Sequence, residues 1–341
     1  VAGVPDTARQ VEDLGFDGLV LTETKEDPYV VMAMAAATTS RIELTTAVAM
    51  AFPRSPTITA MTAWTLQRGS GGRFVLGLGT QVKGHVERRY GMKWSAPAPW
   101  IEEYIGAVRA VWDCWQNRTE LDFHGEHYEL TLMNPLFDPG PIDQPEIPIH
   151  LAAVNAGMAR VAGRTADGLR PHPICTRRYL EEVLAPALET GKTQAGRTDA
   201  AIDVCASPLI VTGPDEGAVE RRMSDVRARI AFYASTRTYR PVFDTHDWGD
   251  IAERLSTLSK QQRWDEMEPL VTDEMVDTIA VVAPYDRLAA AVVNRYRGVC
   301  SKVEFSIPVT DADDAERLSA MVGQIQEASE RSDSDDVAAV R

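Results

Sequence analysis

The chain has 341 residues, of which 44% are hydrophobic and 25% charged, as is typical of a globular protein with a sizeable buried core. Its net charge of −15 argues against nucleic acid and anionic membrane surfaces as partners. No apolar run approaches the roughly 20 residues that span a bilayer, and the first ten residues lack a signal-peptide pattern. The four cysteines are scattered and form no Cys-x-x-Cys pair, so we expect reduced thiols and a cytoplasmic location.

Strand-like and helix-like segments alternate along the chain. The predicted strands are 16–22, 42–50, 74–80, 147–154, 168–173, 202–211 and 302–308. The predicted helices are 5–14, 28–39, 57–70, 100–115, 157–165, 179–191, 216–233 and 285–296. This alternation predicts an α/β fold, a single (β/α)₈ TIM barrel over residues 1–341 with right-handed crossovers. Because only seven barrel strands are found and the chain opens on a helix, we expect a first strand that is absent from this chain.

Three segments depart from the repeat. Residues 121–130 alternate around a His-Gly-Glu turn and predict a surface hairpin. Residues 235–277 interrupt the last crossover, and an insertion of this length after a barrel strand is typical of a lid or an interface. Residues 310–341 are predicted to form a C-terminal helix and a frayed acidic tail.

The segment Ser70 to Thr80 is rich in glycine and apolar residues. Its first two glycines can close the preceding helix, and the apolar run after them indicates a buried strand. Gly77 and Gly79 would then leave open space at the carboxyl end of that strand, where α/β folds bind ligands. The alternative is that these glycines only permit close packing of backbone segments.

Several motifs together resemble the bacterial luciferase-like monooxygenase superfamily. They are Gly-Phe-Asp-Gly-Leu at 15–19, Arg-Ile-Glu-Leu-Thr-Thr-Ala-Val at 41–48, Ser-Gly-Gly-Arg-Phe-Val-Leu-Gly-Leu-Gly at 70–79, Ile-Pro-Ile-His-Leu-Ala-Ala-Val at 147–154 and Ala-Gly-Arg-Thr-Ala-Asp-Gly-Leu at 162–169. Gly-Thr-Gln-Val-Lys-Gly-His at 79–85 and Ala-Phe-Tyr-Ala-Ser-Thr at 231–236 resemble the branch that uses the deazaflavin coenzyme F420. The resemblance implies a luciferase-like barrel, a small-molecule substrate and a homodimer.

The resemblance also implies a cofactor site built mainly from strand ends. It places a non-proline cis peptide behind the flavin ring, at Thr46–Ala47 by its spacing to the Ser-Pro pair at 55–56. Gly79, Thr80 and Gln81 would meet the polar edge of the ring or its side chain.

Two further groups would meet the anionic part of the coenzyme. Lys83 and His85 belong to a basic cluster, completed by two arginines at 88 and 89, that suits a phosphate and a glutamate tail. The alternative for this cluster is a solvated helix face. The strand-to-helix junction formed by Val154, Asn155, Ala156 and Gly157 offers backbone N–H groups to a phosphate, and Asn155 can cap the helix at the same time.

Glu23 and His172 are the candidate catalytic residues, because each ends a predicted strand. His172 would serve in acid–base work or substrate contact, and the alternative is that this histidine, which stands between two prolines, is only packed. The sugar-phosphate dehydrogenase branch carries an Asp-His pair where this chain has Glu23 and Thr24. The base histidine is therefore missing, which argues against oxidation of glucose 6-phosphate. Glu23 would donate a proton or hold the flavin ring, or it would only cap the next helix. Tyr239, His246 and Trp264 are candidates to line the substrate space beneath the lid segment. His124 and His127 have no third ligand beside them in the sequence, so we expect no metal.

The function expected from these motifs is hydride transfer between coenzyme F420 and a small organic substrate. The first alternative is an FMN-dependent monooxygenase that uses molecular oxygen. The second is a non-catalytic flavin-binding protein, which the missing acid–base histidine would favour.

Overall fold

A computed structural model of the protein describes residues 2–339, with only the backbone described from 330 onward. The strands are β1 Gly18–Leu21, β2 Glu43–Thr46, β3 Ala49–Met50, β4 Phe74–Gly79, β5 Phe123–His124, β6 Glu129–Leu130, β7 Ile149–Ala153, β8 Gly168–Pro171, β9 Asp203–Ala206, β10 Leu209–Val211, β11 Ala280–Val282 and β12 Lys302–Val303. The helices are α1 Val4–Asp13, α2 Pro28–Ala36, α3 Pro56–Ser70, α4 Lys83–Arg88, α5 Pro97–Asn117, α6 Ala156–Thr165, α7 Arg177–Tyr179, α8 Ala185–Gln194, α9 Glu216–Ala234, α10 Arg240–Asp244, α11 Gly249–Lys260, α12 Asp273–Ile279, α13 Tyr285–Tyr296 and α14 Ala312–Ala339.

The chain divides into two compact units. The first contains the chain up to Ala153 together with Gly157–Arg170 and Ala187–Asp203. The second contains Val154–Ala156, Pro171–Pro186 and the chain from Val204 onward. No helix among residues 2–339 combines the length and apolar character needed to cross a membrane.

The first unit is built on a parallel sheet in which β1, β2, β4, β7 and β8 are neighbours in that order. Every residue of β4 is buried, as the apolar run in the sequence predicts for a strand covered on both faces. α3 is capped at its N-terminus by Ser55, whose hydroxyl accepts a hydrogen bond from the Ile58 N–H, and at its C-terminus by Gly71 with φ 67°. The predicted hairpin is present as the antiparallel pair β5–β6.

In the second unit β9 pairs with β12 and β10 pairs with β11, both in parallel. The segment predicted as a lid contains α10, α11 and most of α12. α14 covers most of the predicted C-terminal helix and acidic tail, and residues 340 and 341 lie outside the described residues.

Two predicted strands are interrupted, and one strand was missed. The predicted strand 202–211 divides into β9 and β10 at Ser207 and Pro208, since proline cannot donate a ladder hydrogen bond. The predicted strand 42–50 divides into β2 and β3 at residues 47 and 48. β11 was missed because three residues show too little periodicity to stand out after a helix.

Candidate functional site

The carboxyl end of β2 carries a non-proline cis peptide between Ala47 and Val48. The predicted position, Thr46–Ala47, is therefore wrong by one residue. Thr46 still belongs to β2, where it pairs with Leu21, so the chain leaves the strand only after it. Ala47 and Val48 are half-buried between buried neighbours, which leaves a small apolar surface at this strand end.

Thr46 itself is fully buried and contributes to the sheet. Its hydroxyl donates to the Gly77 carbonyl at 2.8 Å and accepts from the Gly77 N–H at 2.9 Å. A Cβ atom at Gly77 would overlap the Thr46 carbonyl oxygen, and one at Gly79 would lie 2.5 Å from Val48 Cγ2. The expectation that these glycines leave open space is wrong, because the preceding strand and the Val48 side chain occupy that space.

Thr80 and Gln81 follow β4 and are half-buried. Gln81 adopts a left-handed backbone with φ 59°, and its side-chain oxygen accepts from the Val82 N–H at 3.1 Å. The Thr80 hydroxyl donates to the Gln81 carbonyl at 3.3 Å. Both polar side chains are therefore folded onto their own backbone.

The basic cluster lies on and just after α4, a helix of six residues. Lys83 and His85 are exposed, and the Lys83 ammonium lies 3.8 Å from the Glu87 carboxylate. Arg89 donates to the Thr24 carbonyl at 3.2 Å. The geometry agrees with a solvated helix face, and a role in coenzyme binding stays a prediction.

Glu23 lies beyond β1 in a small ion-pair network that sequence analysis missed. One of its carboxylate oxygens accepts from the Met50 N–H at 2.8 Å and from the Arg54 guanidinium at 2.7 Å. Arg54 also donates to the Asp27 carboxylate at 2.9 Å and lies over the Tyr29 ring. Since the Glu23 carboxylate acts as an acceptor in both contacts, this arrangement favours anchoring of the chain after β3 over proton donation.

Arg54 gave only a weak signal in the sequence. It immediately precedes the Ser-Pro start of α3, a pair that sequence analysis used only to locate the cis peptide. The partner of Arg54 lies 31 positions earlier, a separation that no local pattern reveals.

His172 directly follows β8 in the chain. It belongs to the second unit, and aromatic rings surround it. Its imidazole stacks on Tyr239 with ring centroids 4.5 Å apart and meets the edge of Tyr233 at 4.7 Å. Its Nδ1 accepts from the Ile174 N–H at 3.3 Å. Burial, with a smaller contribution from the charge of Arg229, lowers the pKa of His172 to about 4. We infer that the imidazole is neutral at pH 7 with its proton on Nε2.

The stability of the protein should therefore depend on pH through His172. Because its pKa is lower in the folded chain than the ordinary value of 6.5, protons bind preferentially to the unfolded chain between those two values. We expect the contribution of His172 to the free energy of unfolding to be complete above about pH 6.5 and to be lost as the pH falls toward about 4. Urea unfolding across this range should show a shallower pH slope for His172→Gln than for wild type, and His85→Gln, at an exposed position, is the control. An unchanged slope in His172→Gln would contradict the assignment.

The three candidate lid residues have different surroundings. Of these three residues, only Tyr239 makes a described ring contact with His172. The His246 Nε2 lies 2.7 Å from the Thr176 hydroxyl, and its ring stacks on Trp248. Trp264 is half exposed and makes its described ring contact with Phe232, 6.5 Å away.

The structure adds Tyr233 and Phe232 to the candidates. Both belong to α9 and their rings meet at 5.7 Å, so they continue the aromatic contacts from His172 toward Trp264. The signal was present in the sequence, because both lie in the 231–236 motif that was used only to suggest the coenzyme.

The predicted phosphate-binding junction joins β7 to α6. Asn155 is exposed and directly precedes α6, while Val154, Ala156 and Gly157 are half-buried. The position agrees with the predicted helix start. Among residues 2–329, whose side chains the structure describes, no three His, Cys, Asp or Glu side chains are grouped closely enough to hold a metal ion.

Comparisons with known proteins place these features in a family. A family model described as luciferase-like monooxygenase matches residues 1–301. An uncharacterised protein of Mycobacterium tuberculosis is 42% identical over 303 residues, which is 89% of each chain. A second protein of that organism, provisionally named a coenzyme F420-dependent oxidoreductase, is 29% identical over 81% of this chain and 82% of its own.

A solved structure extends the likeness to the fold. The coenzyme F420-dependent tetrahydromethanopterin reductase from Methanopyrus kandleri superposes with a TM-score of 0.75 at 20% identity, covering 96% of this chain and 95% of its own. This likeness confirms the predicted α/β fold class, the luciferase-like TIM barrel. The extent of the match shows that the chain belongs to the luciferase-like monooxygenase family.

Proposed function

We propose that this protein is an oxidoreductase that transfers a hydride between coenzyme F420 and a small organic substrate. The observation that carries the proposal is the half-buried imidazole of His172, which stacks on Tyr239 and meets the edge of Tyr233. A neutral Nε2–H can donate a hydrogen bond to a carbonyl oxygen without placing a positive charge in a half-buried aromatic site. The aromatic rings would exclude water and hold a flat substrate.

The first unit offers an apolar surface for a flat ring and exposed basic side chains for an anionic group. The half-buried surface of Ala47 and Val48 is small and apolar, which suits the back of a ring. Lys83 and His85 are exposed and could meet an anionic tail. When bound, the deazaflavin would supply the hydride, and the protein would position the substrate and donate a hydrogen bond to its carbonyl oxygen, with the proton of the product alcohol taken from water.

Titration of the purified protein with coenzyme F420 and separately with FMN, followed by fluorescence, tests the choice of cofactor. We expect micromolar binding of coenzyme F420 and much weaker binding of FMN. Lys83→Gln should weaken the binding of coenzyme F420 several-fold, since it removes one charge from the anion-binding group, while Lys260→Gln on α11 should have no effect. Preference for FMN would favour an oxygen-using monooxygenase instead, and binding of neither would contradict both enzyme assignments.

A further inference from the structure

A cavity lies entirely within the first unit. Its volume is about 550 Å³, and it lies between the residues that follow β3, the segment before α5 and the β5–β6 hairpin. This size falls within the range of roughly 300–1,000 Å³ that is usual for small-molecule sites. We call it the Trp94 pocket, and its main lining residues are Phe52, Arg54, Lys93, Trp94, Trp100 and His127.

The back wall of the Trp94 pocket is held in place before any ligand binds. Phe52 and Trp100 are stacked with ring centroids 3.6 Å apart and an interplanar angle of 6°. The Trp100 indole N–H donates to the Tyr128 hydroxyl at 2.8 Å. The Glu103 carboxylate accepts hydrogen bonds from three consecutive backbone N–H groups of the hairpin, at residues 126 to 128. A wall fixed in this way lowers the entropic cost of binding.

Two neighbouring side chains of the Trp94 pocket are available to a ligand. Trp94 is half-buried and stacks on no other ring in the described part of the chain. Lys93 is exposed, and among the residues that the structure describes it has no ion-pair or hydrogen-bond partner. An indole face beside an ammonium group matches a flat ring that carries a negative charge.

The other charged groups that line the Trp94 pocket indicate how much negative charge its ligand can carry. Arg54 adds a second cation, but Glu23 and Asp27 already engage its guanidinium. The Glu126 carboxylate is exposed on the same lining and would repel a highly charged anion. Because Glu126 offsets part of the positive charge of Lys93, these groups together favour a monoanion over a phosphate.

We propose that the Trp94 pocket binds a planar aromatic carboxylate, with the ring on Trp94 and the carboxylate at Lys93. None of its lining residues is among those assigned above to hydride transfer, and it needs no coenzyme. Arg54 lines this pocket and also donates hydrogen bonds to the Glu23 carboxylate and the Met50 carbonyl. A ligand in the pocket would therefore contact the side chain that anchors the segment after β3.

Titration of the full chain with 2-naphthoate, without any coenzyme, tests the proposal through quenching of tryptophan fluorescence. We expect saturable binding, with 2-naphthamide and cyclohexanecarboxylate each binding about tenfold more weakly. Lys93→Gln should weaken naphthoate binding about tenfold and leave naphthamide binding unchanged. Trp94→Leu should abolish saturable binding of both.

A control variant and an independent measurement make the result interpretable. Lys260→Gln, in the second unit, should bind 2-naphthoate as wild type does. Circular dichroism of each variant separates lost binding from lost folding, and calorimetry replaces fluorescence for Trp94→Leu. Absent saturation in wild type, or equal effects of Lys93→Gln and Lys260→Gln, would overturn the proposal. Because coenzyme is absent throughout, failure here is distinguishable from failure of the proposed function.

Discussion

Replacing Gly77 with alanine is expected to be among the most damaging single changes in this chain. The new methyl group would overlap the Thr46 carbonyl oxygen, which belongs to the backbone of the adjacent strand and cannot rotate away. Relief would require β2 and β4 to separate, breaking the two hydrogen bonds between the Thr46 hydroxyl and the Gly77 backbone. We expect the free energy of unfolding to fall by more than about 4 kcal/mol, or the variant to be insoluble.

Gly69→Ala provides the matched control for this prediction. Gly69 lies in α3, and a Cβ atom there would meet no atom within 4 Å. Alanine should raise the free energy of unfolding by about 0.5–1 kcal/mol because it loses less backbone freedom than glycine on forming a helix. Chemical denaturation of both variants measures the difference. Similar stabilities for the two variants would show that Gly77 is not a point of close strand approach.

The second large effect is expected at the ion pair between Arg54 and Glu23, whose side chains are only 19% and 10% exposed. Arg54→Met would leave the carboxylates of Glu23 and Asp27 without their common cation. We expect a loss of about 3 kcal/mol in the free energy of unfolding, since removal of one partner leaves a poorly solvated charge. Arg54→Lys should restore only part of it, because an ammonium cannot reproduce the two separate contacts of the guanidinium.

A double-mutant cycle assigns this loss to the pair. Glu23→Gln combined with Arg54→Met should be less destabilising than the sum of the single changes, with a coupling of about 1–3 kcal/mol. Arg68→Met, at an exposed position of α3, should change the stability by less than about 0.5 kcal/mol. Strict additivity in the cycle would contradict the anchoring role and would return Glu23 to consideration as a proton donor.

Local sequence patterns were sufficient for most of the helices and for the order of the main strands. The ends of α3 are an example: Ser55 and Gly71 act within their own turns, so their roles are legible from neighbouring residues. The predicted bounds of α13, 285–296, also agree with the structure. The division of 202–211 was also legible in principle, since Pro208 stands in its middle.

The site was less predictable because its contacts are long-range. Glycine is required at position 77 because the Thr46 backbone, 31 positions away, occupies the space of a side chain. The sequence alone does not show whether a missing side chain makes room for a ligand or for backbone. The surroundings of His172 come from Tyr233 and Tyr239, more than 60 positions later. Spacing to the Ser-Pro pair placed the cis peptide one residue too early. The error arose because a count along the chain cannot show where β2 ends.

The most direct test of the central claim is an anaerobic assay with reduced, deuterium-labelled coenzyme F420 and a panel of small ketones and aldehydes. We predict oxidation of the coenzyme without oxygen, with deuterium appearing on the product carbon, and strong loss of this activity in His172→Ala but not in His246→Ala. Turnover that requires both reduced FMN and oxygen would contradict hydride transfer from a deazaflavin and would identify the protein as a monooxygenase.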